Sequence, residues 1–188
     1  MSTQRETVRH ARREDVGTIL HLIRELADYE HELSSVETTE EKLRATIAFA
    51  PSPSEGVPPS EESGLPATEP ISPTRPARCL LLFAPDGAPA GMALYYYNYS
   101  TWRARPGIHL EDLFVSKEQR GRGYGKRLLV ELAKQVLAMD GGRLEWSVLK
   151  WNEPSIKFYH SIGAQAMSDW VGMRVDGEGL TKLSKLLD

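Results

Sequence analysis

Residues 114–127 read FVSKEQRGRGYGKR, and three features of this segment predict one kind of site. An apolar strand candidate runs into a glycine-rich turn, and the turn opens a helix, because apolar residues recur at helical spacing over residues 128–136. Glycines let the backbone approach a ligand closely, and free N–H groups at a helix N-terminus attract anions. The segment also carries four cations, so it predicts a polyphosphate-binding loop: Arg120, Arg122, Lys126 and Arg127.

The glycine spacing excludes two common nucleotide-binding loops. The interval from Gly121 to Gly125 is one residue too short for a Walker A loop, and Arg127 stands where that loop has Ser or Thr. The Rossmann pattern also fails because the glycines fall at 121, 123 and 125, although Glu145 lies at the distance of a ribose-binding acid. A glycine-rich turn with solvated basic residues remains the alternative.

The composition excludes several classes of protein. The chain has 188 residues, and 23 Lys and Arg against 26 Asp and Glu give a net charge of −3, which excludes a broadly basic nucleic-acid binder. The single cysteine, Cys79, excludes an internal disulfide and a cysteine-cluster zinc site. The five histidines show no metal-ligand spacing, and the longest apolar run, Cys79–Ala84, is too short to span a bilayer. We expect a cytoplasmic protein with no metal and no membrane or nucleic-acid partner.

The order of the predicted elements indicates an α/β (α+β) domain with a mixed sheet. Amphipathic periodicity predicts a helix over Val16–Ala27, a Thr38–Glu41 capping box predicts a second helix, and Pro154–Gly163 predicts a short one. Strand candidates are Thr7–His10, Cys79–Phe83, Gly91–Asn98, Ile108–Val115, Leu144–Leu149 and Val171–Val175.

Residues 51–76 differ from the rest of the chain. Eight of these 26 residues are proline and only three are large and apolar, a composition that prevents regular structure and offsets little ordering entropy. We interpret 51–76 as a flexible insertion within one domain that spans 1–188; a polyproline ligand for a partner protein is the less favoured alternative.

Four blocks resemble a known family. The segment Arg120–Gly125 fits the R/Q-x-x-G-x-G/A signature of the GNAT acetyltransferases, whose loop binds the pyrophosphate of acetyl-CoA. Residues 22–30 (LIRELADYE), 109–115 (HLEDLFV) and 151–159 (WNEPSIKFY) resemble the spermidine/spermine (diamine) N-acetyltransferase branch. In this order the blocks are highly specific, and they span nearly the whole chain apart from the insertion.

The resemblance implies the GNAT fold, a mixed twisted sheet whose two central strands splay apart to admit the pantetheine arm of acetyl-CoA. It implies a homodimer, as is common in the family. It places Asn152 and Ser155 along acetyl-CoA and Tyr159 near the thioester sulfur. The remaining cofactor contacts that it implies are the backbone of Leu113, Phe114 and Val115 and the loop residues Arg120, Gly121, Arg122, Gly123, Tyr124, Gly125 and Lys126.

Acetyl transfer to an amine poses two proton problems. An alkylammonium has a pKa of about 10.4, so near neutral pH only about one molecule in a thousand is nucleophilic. Glu111, on the strand that approaches the cofactor, is the candidate base, acting directly or through water. The thiolate that leaves needs a proton or hydrogen bond, and neutral Tyr159 is the candidate donor. The alternatives are an ion-pair partner for an arginine (Glu111) and a core aromatic (Tyr159).

The acceptor is predicted to be a small primary amine of the polyamine, diamine or lysine-like kind. Residues 25–41 contain seven acids and no Lys or Arg, which favours a cationic acceptor. By resemblance, Tyr29, Glu30, Glu111, Asp112 and Trp170 border it. The polyamine enzymes carry an acid two residues before that tryptophan, where this chain has Ser168. The rival readings are a protein lysine or N-terminal acetyltransferase and a non-catalytic acyl-CoA sensor.

Overall fold

The computed structural model describes residues 5–52 and 65–187. These residues divide into two compact units, the first ending at Ser147 and the second beginning at Val148. The elements in chain order are β1 (Thr7–His10), α1 (Val16–Tyr29), α2 (Glu40–Thr46), β2 (Arg78–Phe83), β3 (Pro89–Ser100), β4 (Arg105–Val115), α3 (Tyr124–Ala138), β5 (Leu144–Trp146), α4 (Glu153–Ser161) and α5 (Gly177–Ser184).

The first unit contains a five-stranded sheet in the order β1-β2-β3-β4-β5. The first four strands are antiparallel neighbours, whereas β5 runs parallel to β4. The predicted mixed sheet flanked by helices is therefore confirmed. The pairing between β4 and β5 covers Ile108–Leu110 only, so β4 continues for five residues beyond its last partner on that side.

Helices cover both faces of this sheet. On one face, Leu81, Met92 and Phe114 pack in a buried cluster with the apolar side of α1. Successive side chains of a strand point to opposite faces, and Tyr95 accordingly points the other way, where its hydroxyl donates a 2.7 Å hydrogen bond to Gln135 Oε1 of α3. The sheet is thus the middle layer, with α1 and α2 on one side and α3 on the other.

The ladder between β3 and β4 contains a bulge. Leu94 pairs with Asp112, but the next residue, Tyr95, pairs with Leu110. Glu111 is the extra residue and has no partner on β3. A bulge re-aims the side chain that it inserts and increases the local twist, so Glu111 and Asp112 leave the strand in directions that simple alternation does not predict.

The second unit contains α4 and α5, and here the prediction of a strand at Val171–Val175 is wrong. The described residues between α4 and α5 form no strand, and Val171 and Met173 are 82% and 91% exposed. Strand propensity reports how a side chain fits a paired, half-buried surface, whereas the side chains of this segment are exposed. Helix α5 escaped prediction because it is short and contains Gly177 and Gly179.

Element boundaries differ slightly from the predictions. The N-cap of α2 is Thr39, whose hydroxyl oxygen accepts a 3.2 Å hydrogen bond from the Lys42 N–H, so the predicted Thr38–Glu41 capping box does not form. Strand β5 ends at Trp146 rather than at Leu149. Residues 53–64 of the predicted insertion lie outside the described residues, and a flexible 51–76 insertion within one domain stays a prediction.

Candidate active site

The predicted phosphate loop follows β4 and ends at the first turn of α3. Gly121 and Gly123 have φ angles of +80° and +81°, a left-handed conformation that L side chains rarely adopt. Gly123 is the N-cap of α3, and its carbonyl accepts the first helical hydrogen bond, 2.9 Å from the Arg127 N–H. Among the described residues, the N–H groups of Gly121–Lys126 have no hydrogen-bond acceptor. These donors, at the positive end of a helix, fit a pyrophosphate.

The four loop cations fall into different environments. Arg122 and Lys126 form no ion pair with the described residues, which leaves their charges available to a phosphate. Arg127 instead pairs with Glu131 one turn along α3, at 3.1 Å. Tyr124 is buried, so its side chain anchors the start of α3 and only its backbone faces a ligand at the loop.

Arg120 connects the loop to α1. Its guanidinium carbon lies 4.8 Å from the ring centroid of Tyr29 and 5.6 Å from that of Phe114, and its Nε donates a 3.0 Å hydrogen bond to the Val115 carbonyl. Such cation–π contacts contribute about 0.5–1 kcal/mol each at exposed sites. The arginine therefore links the cofactor loop to Tyr29, a predicted acceptor residue.

A second contact at this junction was not predicted from the sequence. The Ser116 hydroxyl donates a 2.8 Å hydrogen bond to Glu25 Oε2 on α1. The sequence held one indication of this contact, because Glu25 precedes Tyr29 by one helical turn and lies on the same side of α1. Together the two contacts attach the end of α1 to the segment that follows β4.

The open edge of β4 lies directly before the loop. Beyond Leu110, residues 112–115 pair with β3, and none of residues 111–115 pairs with β5. No strand of the described residues faces the backbone groups on this edge, including those of Leu113, so a ligand with amide groups can pair with them. The open edge and the glycine loop are contiguous in the chain, and both fit an extended cofactor that ends in a diphosphate.

Carboxylates gather where β4 faces the C-terminal end of α1. Burial, and then the charges of Glu111 and Glu30, raises the pKa of Asp112 to about 6. Burial, and then the charge of Glu32, raises the pKa of Glu30, and Glu30 also caps the end of α1, where the helix dipole disfavours negative charge. A cation bound here would relieve both penalties.

Glu111 is the most exposed member of this group, with 54% of its side chain accessible. Its Oε2 lies 3.8 Å from Nε2 of His109, two residues earlier on β4. An exposed carboxylate can exchange a proton with water. The geometry therefore suits the predicted role of Glu111 as a base.

The remaining residues that were predicted to contact acetyl-CoA or the acceptor lie in the second unit. Asn152 is the N-cap of α4, and its side-chain oxygen accepts a 3.3 Å hydrogen bond from the Ser155 N–H. Tyr159 follows Ser155 by one helical turn, and its ring packs 5.3 Å from the ring of Phe158. Asn152, Ser155 and Tyr159 thus lie along one side of α4. Trp170 is 69% exposed in the segment between α4 and α5.

Other groups take no part in this arrangement. Cys79 is buried, and burial raises the pKa of its thiol far above the usual range, which agrees with its interpretation as an apolar filler. Among residues 5–52 and 65–187, no three His, Cys, Asp or Glu side chains are arranged to hold a metal ion. No helix in the same ranges is long and apolar enough to cross a bilayer.

Comparison with known proteins identifies the family. A model of the acetyltransferase (GNAT) family matches residues 50–164. The chain belongs to the GNAT family of acetyltransferases. It is similar to the thialysine N-epsilon-acetyltransferase of Bos taurus, at 35% identity over 94% of this chain and 96% of that protein. It is also similar to the L-ornithine N5-acetyltransferase of Arabidopsis thaliana, at 39% identity over 54% of this chain and 44% of that protein.

Solved structures agree on the fold of this GNAT protein. An integron cassette protein from the mobile metagenome of V. cholerae superposes with a TM-score of 0.70 at 22% identity, over 96% of this chain and 98% of that one. The predicted GNAT fold and N-acetyltransferase activity are thus confirmed, and GNAT enzymes use acetyl-CoA. The roles of individual site residues stay predictions.

Replacing Gly123 tests the loop as the cofactor site. A Gly123→Val variant puts a β-branched residue at a φ of +81°, which costs about 1–3 kcal/mol unless the loop rearranges. Rearrangement would misalign the N–H donors, so we expect coenzyme A affinity, measured by calorimetry, to fall about 10-fold or more. The control is Gly172→Ala, because nothing lies within 4 Å of a Cβ there and φ is not positive. Unchanged affinity of Gly123→Val would exclude the loop as the diphosphate site.

Removing the charge of Asp112 should stabilise the folded protein at pH values above the pKa of this group. Because the folded-state pKa of Asp112 is about 6, above its ordinary value, its ionisation lowers stability as pH rises from about 4 to 6. We expect Asp112→Asn to raise the free energy of unfolding by about 1–3 kcal/mol at pH 8 and to lose this advantage by pH 4. The measurement is denaturant unfolding at both pH values. A variant less stable than wild type at pH 8 would contradict the prediction.

Proposed function

We propose that this enzyme acetylates the side-chain amine of a small lysine-like or diamine acceptor, with acetyl-CoA as the donor. The observation that carries the proposal is the set of carboxylates at the end of α1 and on β4: Glu30, Glu111 and Asp112. The pKa values of Glu30 and Asp112 are raised, so a cationic acceptor that pairs with these carboxylates would stabilise their charged forms. The similarity to enzymes named for thialysine and L-ornithine, two basic amino acids, supports the same acceptor class.

The donor would be held by the backbone. The open edge of β4 over Leu113–Val115 would pair with the amide-containing arm, and the N–H groups of Gly121–Lys126, with Arg122 and Lys126, would bind the diphosphate. In the second unit, Asn152 and Ser155 are the further predicted contacts. When bound, acetyl-CoA supplies an activated acetyl group for direct transfer to the amine.

Binding and activation of the amine make opposite demands. Carboxylates that attract an ammonium also hold its proton, and the free amine is about one molecule in a thousand near neutral pH. We propose that Glu30 and Asp112 attract the cation, with Tyr29 at the border of the site. Glu111, on the bulge and in contact with water, receives the proton. Separate groups would then bind and deprotonate the acceptor.

Tyr159 is the proposed proton donor to the departing sulfur. A neutral tyrosine hydroxyl is present throughout the working pH range and can donate a hydrogen bond or a proton as the C–S bond breaks. Its position two turns after the N-cap Asn152 on α4 supports the assignment. The reaction needs no covalent intermediate, and the buried thiol of Cys79 offers no nucleophile.

The remaining proposals rest on the resemblance alone. Trp170 would form the far wall of the acceptor site. The enzyme would act as a homodimer in the cytoplasm without a metal. A protein lysine or N-terminus is the second candidate acceptor, and the exposure of Glu111 is the observation that keeps it open, because an exposed base can meet a large substrate.

A panel of acceptors tests the proposed function. Purified enzyme with acetyl-CoA is assayed for free thiol against thialysine, ornithine, spermidine, a short diamine and a lysine-containing peptide. We expect kcat/KM for thialysine, ornithine or the diamine to exceed that for the peptide by at least about 100-fold. Turnover of the peptide alone would overturn the proposal in favour of the protein acetyltransferase, and no turnover with any acceptor would overturn both.

The Tyr159→Phe variant tests the proton donor. We expect kcat to fall about 100-fold, the lower range for loss of a general acid, with the KM for acetyl-CoA within about two-fold of wild type. The matched control is Tyr99→Phe, which removes the hydroxyl of an exposed tyrosine on β3 and should leave kcat unchanged. Wild-type turnover by Tyr159→Phe would remove Tyr159 from the mechanism.

A further inference from the structure

Each acetyl transfer leaves one proton to be removed from the site. The acceptor enters as an ammonium with three N–H protons and leaves as an amide with one. One of the two lost protons goes to the departing thiolate, and in the proposed function Glu111 receives the other. Glu111 must lose this proton before the next turnover, because a neutral carboxyl group is no base.

His109 is positioned to receive that proton. Its Nε2 lies 3.8 Å from Glu111 Oε2, and its Nδ1 lies 4.0 Å from Glu145 Oε1 on β5. The imidazole therefore bridges two carboxylates on neighbouring strands, one through each ring nitrogen. Among the described residues, His109 is the partner that forms an ion-pair contact with Glu111. Histidine gains and loses protons near neutral pH and can do so at both nitrogens.

The surroundings hold the imidazole in this bridging position. The ring of Tyr96 on β3 stacks on it with centroids 4.9 Å apart and an angle of 24° between the planes. Glu145 is itself fixed by Arg143, whose Nε lies 3.0 Å away, and by a hydrogen bond from the Asn98 side chain. The charged and titratable groups that face His109 are thus Glu111 on its own strand, Tyr96 on β3, and Glu145 with Arg143 at β5.

Burial, and then the charges of Glu111 and Glu145, raises the pKa of the Tyr96 hydroxyl, so this group stays protonated and the exchange is confined to the imidazole and the carboxylates. The side chain of His109 is 23% exposed, against 54% for Glu111 and 42% for Glu145. When an acceptor covers Glu111, the far carboxylate still faces solvent.

We propose that His109 is a positioning residue that acts through Glu111 and relays its proton to solvent. The inference rests on the proposed function. The proton moves from Glu111 Oε2 to His109 Nε2, and the proton on Nδ1 leaves towards Glu145 Oε1 and water, so the imidazole is neutral again but protonated on Nε2. Proton exchange with solvent after the product leaves restores the Nδ1–H tautomer before the next turnover. Because 3.8 Å exceeds a hydrogen-bond distance, the transfer uses a bridging water or a small closure of the gap.

Two variants and added imidazole test the relay. His109→Gln keeps a polar side chain but cannot titrate, and His109→Ala leaves room for imidazole from solution. We expect kcat for the best amine of the acceptor panel to fall about 10-fold in both variants in dilute buffer, with both KM values within about two-fold of wild type. Added imidazole should restore kcat of His109→Ala in a saturating manner and should leave wild type unchanged.

The control is His21→Gln, which removes another histidine that lies near a glutamate, 3.9 Å from Glu25 on α1, and should leave kcat at the wild-type value. Glu145→Gln should lower kcat in the same direction as His109→Gln, also without changing KM.

Wild-type kcat in His109→Gln would overturn the relay while the proposed function stands. A fall in kcat that imidazole does not restore, together with raised KM values, would also overturn it and would indicate a purely structural role. If His109→Ala fails to fold, the dependence of His109→Gln turnover on imidazole concentration decides the same question. No turnover by wild type with any amine would overturn the proposed function itself.

Discussion

Strand β4 pairs with β3 from end to end except at the bulged Glu111, but with β5 over only three residues. The long pairing with β3 and the buried side chain of Phe114 hold the strand in place. The short pairing with β5 leaves the backbone of residues 111–115 accessible, and the chain then passes straight into the glycine loop and α3. Rigid support on one edge and free backbone groups on the other are what an extended amide-containing ligand requires.

Glu30 and Asp112 lie at positions where a negative charge lowers the stability of the folded protein. Asp112 is largely buried beside two other carboxylates, and Glu30 lies at the negative end of a helix dipole. Charges in such positions lower the stability of the folded protein, which agrees with the proposed cationic acceptor that would neutralise them. The same helix that carries Glu30 is attached to the glycine loop through Glu25 and Ser116 and through Tyr29 and Arg120, so the proposed donor and acceptor regions share one support.

Because of the bulge on β4, the neighbouring side chains of Glu111 and Asp112 have different surroundings. Asp112 retains its pairing with Leu94 and belongs to the face covered by α1, whereas Glu111 leaves the ladder and meets His109. Asp112 is suited to attracting a cation, whereas Glu111 lies near the imidazole of His109, which stacks on Tyr96 and contacts the exposed carboxylate of Glu145. Two adjacent carboxylates can thus take different roles because their environments differ.

Local patterns in the sequence determined much of this protein. The glycine loop, the periodicity of α1 and α3, and the positions of Asn152 and Tyr159 on one side of α4 are visible because each depends on residues within a few positions of one another. The family blocks added the fold and the acetyl-CoA chemistry. These features act through backbone conformation and helix geometry, which neighbouring residues control.

Only the tertiary structure decided which distant groups meet. The hydrogen bond from Ser116 to Glu25 joins residues 91 positions apart, and the contact of His109 with Glu145 depends on the parallel register of β4 and β5. The bulge at Glu111 depends on how β3 and β4 align, and Val171–Val175 has strand-like residues but forms no strand in the described part of the chain. A sequence pattern shows which surface a segment can offer, whereas the register and the partner are set by the packing of the whole chain.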